Sequence, residues 1–172
     1  MRTFIAIKFD PNQKILDLMN DIKSRYKIKT VEPENLHATI KFLGEIDEKS
    51  ADKILKDLEK INFKKFKVTL VGLGAFPNEK RARVLWIGIK SDEFMELGKK
   101  INDLLKGIGE DNFSPHLTLG RLKETADVSE FVKNFKDTVF KECEITYFSF
   151  YRSTLTEKGP IYTEIKRFNL LD

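Results

Sequence analysis

Apolar and polar positions along the chain follow two periods. Stretches of period two, rich in β-branched and aromatic residues, predict strands at "TFIAIKF" (residues 3–9), "HATIKFL" (37–43, stopped by Gly44) and "HLTLGRL" (116–122). "FKVTLVGLGAF" and "RVLWIGIK" read as a strand pair joined by the turn-like "PNEKRA", and two further strands fall around 143–151 and 161–168. Period 3.6 takes over between them. Asp10 is placed to cap a helix with Pro11 at its first position, and Ile15, Leu18, Met19 and Ile22 make its inner face. Asp47 is placed to cap a second, with Ile54, Leu55, Leu58 and Ile61 on one side. A third spans about Asp92 to Lys106 with Phe94, Leu97, Ile101, Leu104 and Leu105 inward, and a short one lies near 128–136.

Neighbouring strands with short connections argue for antiparallel pairing, not a doubly wound parallel sheet. "HATIKFLGE" and "HLTLGRLKE" look like one element used twice, 79 residues apart, near half the chain length. The expected fold is therefore α+β and bilobal: a pseudo-twofold pair of mainly antiparallel sheets, with outer helices and a central cleft. At 172 residues and 20.0 kDa the chain suits a single two-lobed domain over residues 1–172. No Pro/Gly/Ser linker and no low-complexity tract divides it.

Composition narrows the setting. One cysteine, Cys143, can form neither an internal disulfide nor a Cys-type zinc site, which points to a reducing, cytoplasmic compartment. The opening apolar run is too short for a signal peptide, and nothing later is long enough to span a bilayer, so no membrane is expected. The net charge of +4 permits a phosphate or nucleic-acid partner without requiring one.

The two histidines, His37 and His116, are the only ones in the chain, and each has a threonine two places on, Thr39 and Thr118. With threonine at 11 of 172 positions, chance seldom gives both histidines that neighbour. On a strand, residues i and i+2 share a face, so each imidazole sits beside a hydroxyl while Ala38, Ile40, Leu117 and Leu119 point to the core. Imidazole gives or takes a proton near neutral pH. Two such groups flanking two neutral donors suit in-line displacement at phosphorus, one ring as base, one as acid, the hydroxyls on the non-bridging oxygens. Two histidines without Cys or a carboxylate at ligand spacing make a weak metal site. There is no phosphate-binding glycine loop and no serine in a nucleophile elbow.

At these residues the chain resembles the two-histidine (His-x-Thr-x) phosphoesterase superfamily, and within it the RNA 2′,3′-cyclic phosphodiesterase family, also called 2′-5′ RNA ligase. The likeness runs through "MRTFIAIKF", "PENLHATIKFLGE", "GLGAFPN" with "RARVLWIGI", "FSPHLTLGR" and "FYRSTLTEKGPIY". It implies metal-independent, cofactor-free opening of an RNA 2′,3′-cyclic phosphate end to a 2′-phosphomonoester, with 2′-5′ ligation as the reversible counterpart. It also implies a monomer acting on RNA ends such as those of tRNA fragments. Carried over, His37 is the proton donor to the leaving 3′ oxygen and His116 the proton acceptor, with Thr39 and Thr118 on the phosphate. Arg121 is either a further phosphate contact or a partner in a structural salt bridge; its parity on a regular strand is wrong for the cleft, and contact with the phosphate needs a bend at Gly120. Tyr151 and Arg152 are expected to border the cleft, and Arg81, Arg83 and Phe76 to meet the RNA. Two alternatives stand beside this reading: a cyclic phosphodiesterase for small nucleotides such as ADP-ribose 1″,2″-cyclic phosphate, and a non-catalytic RNA-end binding module.

Overall fold

Fourteen segments of regular structure alternate along the computed structural model, which describes residues 1–172. They are β1 (Arg2–Lys8), α1 (Gln13–Arg25), β2 (Ile28–Thr30), a 3-10 turn (Pro33–Asn35), β3 (His37–Glu45), α2 (Glu48–Leu58), β4 (Phe66–Phe76), β5 (Ala82–Lys90), α3 (Asp92–Leu104), β6 (His116–Ala126), α4 (Ser129–Lys133), β7 (Val139–Ile145), β8 (Tyr147–Thr156) and β9 (Gly159–Asn169).

The strands form two antiparallel sheets, ordered β3-β1-β8-β9 and β2-β6-β5-β4-β7. Setting β2 aside, the second repeats the first strand for strand: β6 stands for β3, β5 for β1, β4 for β8 and β7 for β9. His37 opens β3 opposite Lys8, and His116 opens β6 opposite Gly88, so the pseudo-twofold relation holds to the residue. One contiguous cluster of 38 buried residues draws on both sheets and all four helices. A second, of Phe4, Ala6 and Tyr151, lies apart from it, with Phe42 and Tyr162 packed alongside.

Several local expectations are corrected. Helix α1 is capped by Asn12, not Asp10, and starts after Pro11: the Asn12 side chain accepts from Ile15 N at 3.0 Å and donates to Phe140 O at 2.8 Å, tying the helix start to β7. The strand expected around 143–151 is two strands broken at Thr146, with β7 in one sheet and β8 in the other. Strand β3 passes through Gly44, at φ +78°, to end at Glu45. Leu104 ends up 40% exposed, whereas Leu105 takes the core position. The Asp47 and Ser91 side chains cap α2 and α3.

Both histidine strands carry a bulge at the same place. Ile5 faces Lys41 but Ala6 faces Thr39, so Ile40 is the extra residue; Leu85 faces Gly120 but Trp86 faces Thr118, so Leu119 is. A bulge resets the side-chain alternation. Ile40 and Lys41 are therefore both buried, as are Leu119 and Gly120, while Phe42 and Arg121 return to the face of the histidines. The bend that Arg121 needed is this bulge.

The bulge sends Lys41 inward, and its side chain has no exposed surface. A buried ammonium must find partners. Lys41 Nζ donates to Asp111 Oδ1 and to Glu110 O, each at 2.9 Å, and Glu110 N donates to Phe42 O at 2.9 Å. Asn102 of α3 donates to Ile40 O at 3.0 Å. The loop that leads into His116 is thereby pinned to the strand that carries His37.

Removing one member of such a pair is worse than removing the charge that requires it. Asp111→Ala leaves the buried ammonium with a single carbonyl partner, whereas Lys41→Met leaves a half-exposed carboxylate that water can solvate. Denaturation midpoints measured at constant m-value are expected to show Asp111→Ala losing at least twice the stability lost by Lys41→Met.

Candidate active site

Each histidine begins its strand directly after an irregular segment that leaves a carbonyl two residues back facing the ring. His37 Nδ1 lies 2.7 Å from Asn35 O, and His116 Nδ1 lies 2.7 Å from Ser114 O. A carbonyl only accepts, so Nδ1 carries the proton in both rings and Nε2 is left for a ligand. The 3-10 turn that presents Asn35 O ends on a backbone bond from Leu36 N to Pro33 O. Ser114 belongs to the loop held by Lys41.

Aromatic side chains hold both rings. Phe4 and the edge of Tyr162 lie 5.2 and 5.1 Å from the His37 ring. Phe76 stands edge-on to His116 at 5.0 Å, with Trp86 at 6.1 Å. Gly74 makes room for the Trp86 ring, since a Cβ there would lie 2.2 Å from its Cη2. Burial among these groups pushes both imidazoles below the ordinary value of 6.5, against the raising effect of the carbonyl bonds, and for His37 the charge of His116 acts in the same downward direction. Desolvation is the larger influence on each ring.

Three recesses meet around Tyr162. The first holds His37 with Phe4, Lys8, Tyr151, Glu164 and Arg167. The second holds His37 and Thr39 with Arg2, Phe42 and Leu155. The third holds Thr118 and Arg121 with Lys29 and Lys158. Asn35 lines the first and third, so the recesses run on from His37 to Thr118.

Most of the residues singled out from sequence are brought together here. His37, Thr39, His116 and Thr118 are all half-buried, and Arg121 stands beside Thr118; Phe76 touches His116, and neither of these two lines any of the three recesses. Tyr151 is 8% exposed and stacks on Phe4 at 5.3 Å, so it forms the floor of the His37 recess. Arg81, Arg83 and Arg152 are exposed and line none of the three recesses. Tyr162, Phe4, Lys8 and Asn35 were not picked out individually. The one signal for Tyr162 is an aromatic residue just past a Gly-Pro turn, in "GPIY".

A family model described as LigT like phosphoesterase matches residues 7–86 and 88–162. The chain is 37% identical over 175 residues to an Archaeoglobus fulgidus protein described as RNA 2′,3′-cyclic phosphodiesterase, covering 98% of this chain and 99% of the relative. A Methanocaldococcus jannaschii protein of the same description is 38% identical over 176 residues, covering 98% of this chain and 100% of the relative. Among solved structures, TT0787 of Thermus thermophilus has the same fold with a TM-score of 0.84 at 28% identity, covering 98% of this chain and 97% of that one.

The depressed imidazoles have a consequence for stability. Burial favours the neutral ring in the folded chain, so below 6.5 the unfolded chain binds more protons and stability falls with pH until the folded values are passed. His37→Gln removes one such group. The stability difference between wild type and His37→Gln, from denaturant titrations, is expected to shift against the wild type between about pH 8 and about pH 5.

Proposed function

The chain belongs to the LigT like phosphoesterase family, and on that basis we propose that it opens RNA 2′,3′-cyclic phosphate ends to 2′-phosphomonoesters without a metal. One observation carries the reading: two imidazoles on pseudo-twofold strands, each with Nδ1 committed to the carbonyl two residues back and Nε2 without a partner in the chain. Relatives described as RNA 2′,3′-cyclic phosphodiesterases, similar over nearly their whole lengths, support the substrate.

In this mechanism His116 enters neutral and takes a proton from water as water attacks phosphorus. His37 enters protonated and gives its Nε2 proton to the leaving 3′ oxygen. The P–O3′ bond breaks, the phosphate stays on O2′, and the rings finish with their protons exchanged. Thr39 and Thr118 donate to the non-bridging oxygens, and Arg121 opposes the charge that builds there. Two rings of depressed pKa suit the task, because the productive singly protonated pair requires that neither imidazole hold its proton firmly. The site is assigned to the cytoplasm and to a monomer.

The test is a short RNA ending in a 2′,3′-cyclic phosphate, incubated in excess EDTA with the product end identified. Wild type is expected to yield the 2′-phosphate. His37→Ala and His116→Ala each lower kcat by about 10²–10⁴, and Thr39→Val or Thr118→Val by about 10². A 3′-phosphate product, or activity that survives both histidine changes, removes the assignment. The pH profile of kcat/KM, which reports the free enzyme, is expected to be a bell with its maximum on the acid side of 6.5, from the direction in which burial moves both rings.

A further inference from the structure

The four-stranded sheet sends a side chain from each of its outer strands into the first recess. His37 begins β3 at one margin, and Glu164 stands on β9 at the other. Three strand steps of about 4.8 Å separate their backbones, roughly 14 Å in all. Between them Phe4 and Tyr151, stacked at 5.3 Å, make the floor, and Tyr162 stands edge-on to Phe4 at 5.1 Å. The recess encloses about 210 Å³, room for one nucleobase beyond a phosphate held at His37.

The far end of the recess is a carboxylate fixed in place. A bulge in β9, with Ile165 the extra residue, turns Glu164 and Arg167 to one face, opposite Tyr151 and Ser149. Ser149 has no exposed surface, and its hydroxyl donates to Glu164 Oε2 at 2.7 Å. Arg167 donates through Nε to Oε2 at 3.2 Å and through Nη2 to Oε1 at 3.3 Å, and its guanidinium lies 3.9 Å over the Tyr147 ring. Burial pushes the Glu164 carboxyl up, but the bonds from Ser149 and Arg167, with the charges of Arg167 and Lys8, hold it below the ordinary value of 4.5. Oε2 accepts twice and Oε1 once, so Oε1 keeps a lone pair for a ligand. Glu34, the other acid of this recess, is exposed on the 3-10 turn.

We propose that this recess selects guanine as the terminal base of the cyclic-phosphate strand, with Glu164 facing the N1–H and N2–H edge of the base and Oε1 accepting from it. The inference rests on the phosphodiesterase reading, which holds the reacting phosphate at His37 and so places the base of that nucleotide one sugar away. Guanine alone sets two N–H donors side by side on its pairing edge. Adenine and cytosine place a ring-nitrogen lone pair beside the amino group, and uracil flanks its one N–H with two carbonyl oxygens. Each of these three turns a lone pair toward a carboxylate that Ser149 and Arg167 keep from moving away. A polar group left facing the wrong partner loses the bond and keeps the cost of its desolvation. The aromatic walls accept any base, since every base has a π face, so stacking supplies affinity and Glu164 the choice.

The experiment compares four trinucleotides, UUG, UUA, UUC and UUU, each ending in a 2′,3′-cyclic phosphate, as substrates of wild type and Glu164→Gln. Wild type is expected to show a kcat/KM for UUG at least about tenfold above each of the others. In Glu164→Gln that ratio is expected to fall to about twofold or less, with the loss in the KM for UUG. Equal use of the four by wild type, or a preference for another base, overturns the inference. So does a Glu164→Gln variant that is slower on all four with the ratio kept, which assigns the carboxylate to structure alone. Binding of guanosine 2′-monophosphate and adenosine 2′-monophosphate, measured by calorimetry, reads the recess without turnover. If wild type hydrolyses none of the trinucleotides yet binds the guanosine nucleotide about tenfold more tightly, and Glu164→Gln does not, the phosphodiesterase reading falls and the guanine recess stands. Equal binding of the two nucleotides by wild type overturns the recess.

Discussion

A single buried ammonium ties the two halves of the site together. Lys41 is inward because a bulge interrupts the alternation of β3, and once inward it must be met by charge and by carbonyl oxygen. Both come from residues 110–111, a few positions ahead of His116. The carbonyl that sets the His116 tautomer is on that loop, so the orientation of one imidazole depends on the strand that bears the other. Asn102, which reaches Ile40 O from α3, braces the same bulge from behind. A salt bridge of this kind contributes little net stability as a rule. Its effect here is registration: it holds the loop ahead of His116 against the strand that begins at His37.

Repetition explains why the surroundings of the two histidines are so alike, and departures from it explain why they differ. The carbonyl two residues back, the aromatic neighbours and the bulge recur in each half. Chemical asymmetry enters at the same offset past each histidine: Phe42 in one half, Arg121 in the other. It grows where β2 is added to only one sheet. Deeper burial of His37, with the added influence of His116, distinguishes the rings further.

Much of this was legible in the sequence, for definable reasons. Strands with one polar face announce themselves by alternation, and the paired His-x-Thr stands out because histidine is so scarce. What escaped was structure without a local signature. "FKECEITYFSFYRS" alternates without a turn residue, so nothing marks Thr146 as the point where the chain leaves one sheet for the other. Strand β2 is three residues long and exists only because β6 offers it an edge. A bulge needs no particular residue on its partner strand, so the face to which Arg121 returns is set by register across the sheet, not by its own neighbours. Tyr162 depends on the hairpin that carries it across the cleft, a long-range fact.

The crossing at Thr146 also divides the chain unequally between the sheets. Every strand of the sheet that holds His116 lies within residues 28–145, so that sheet takes no strand from the rest of the chain. The sheet that holds His37 is different, since β1 is interior and pairs with β8 as well as β3. Until residues 147–169 appear, β1 and β3 can form only a two-stranded ribbon with an open edge, a marginal and association-prone arrangement. The His116 sheet can therefore be completed without the C-terminal hairpin, and the His37 sheet cannot. The hairpin that completes it is the same one that brings Tyr162 over the cleft, so one pair of strands finishes both the His37 sheet and the wall of the site.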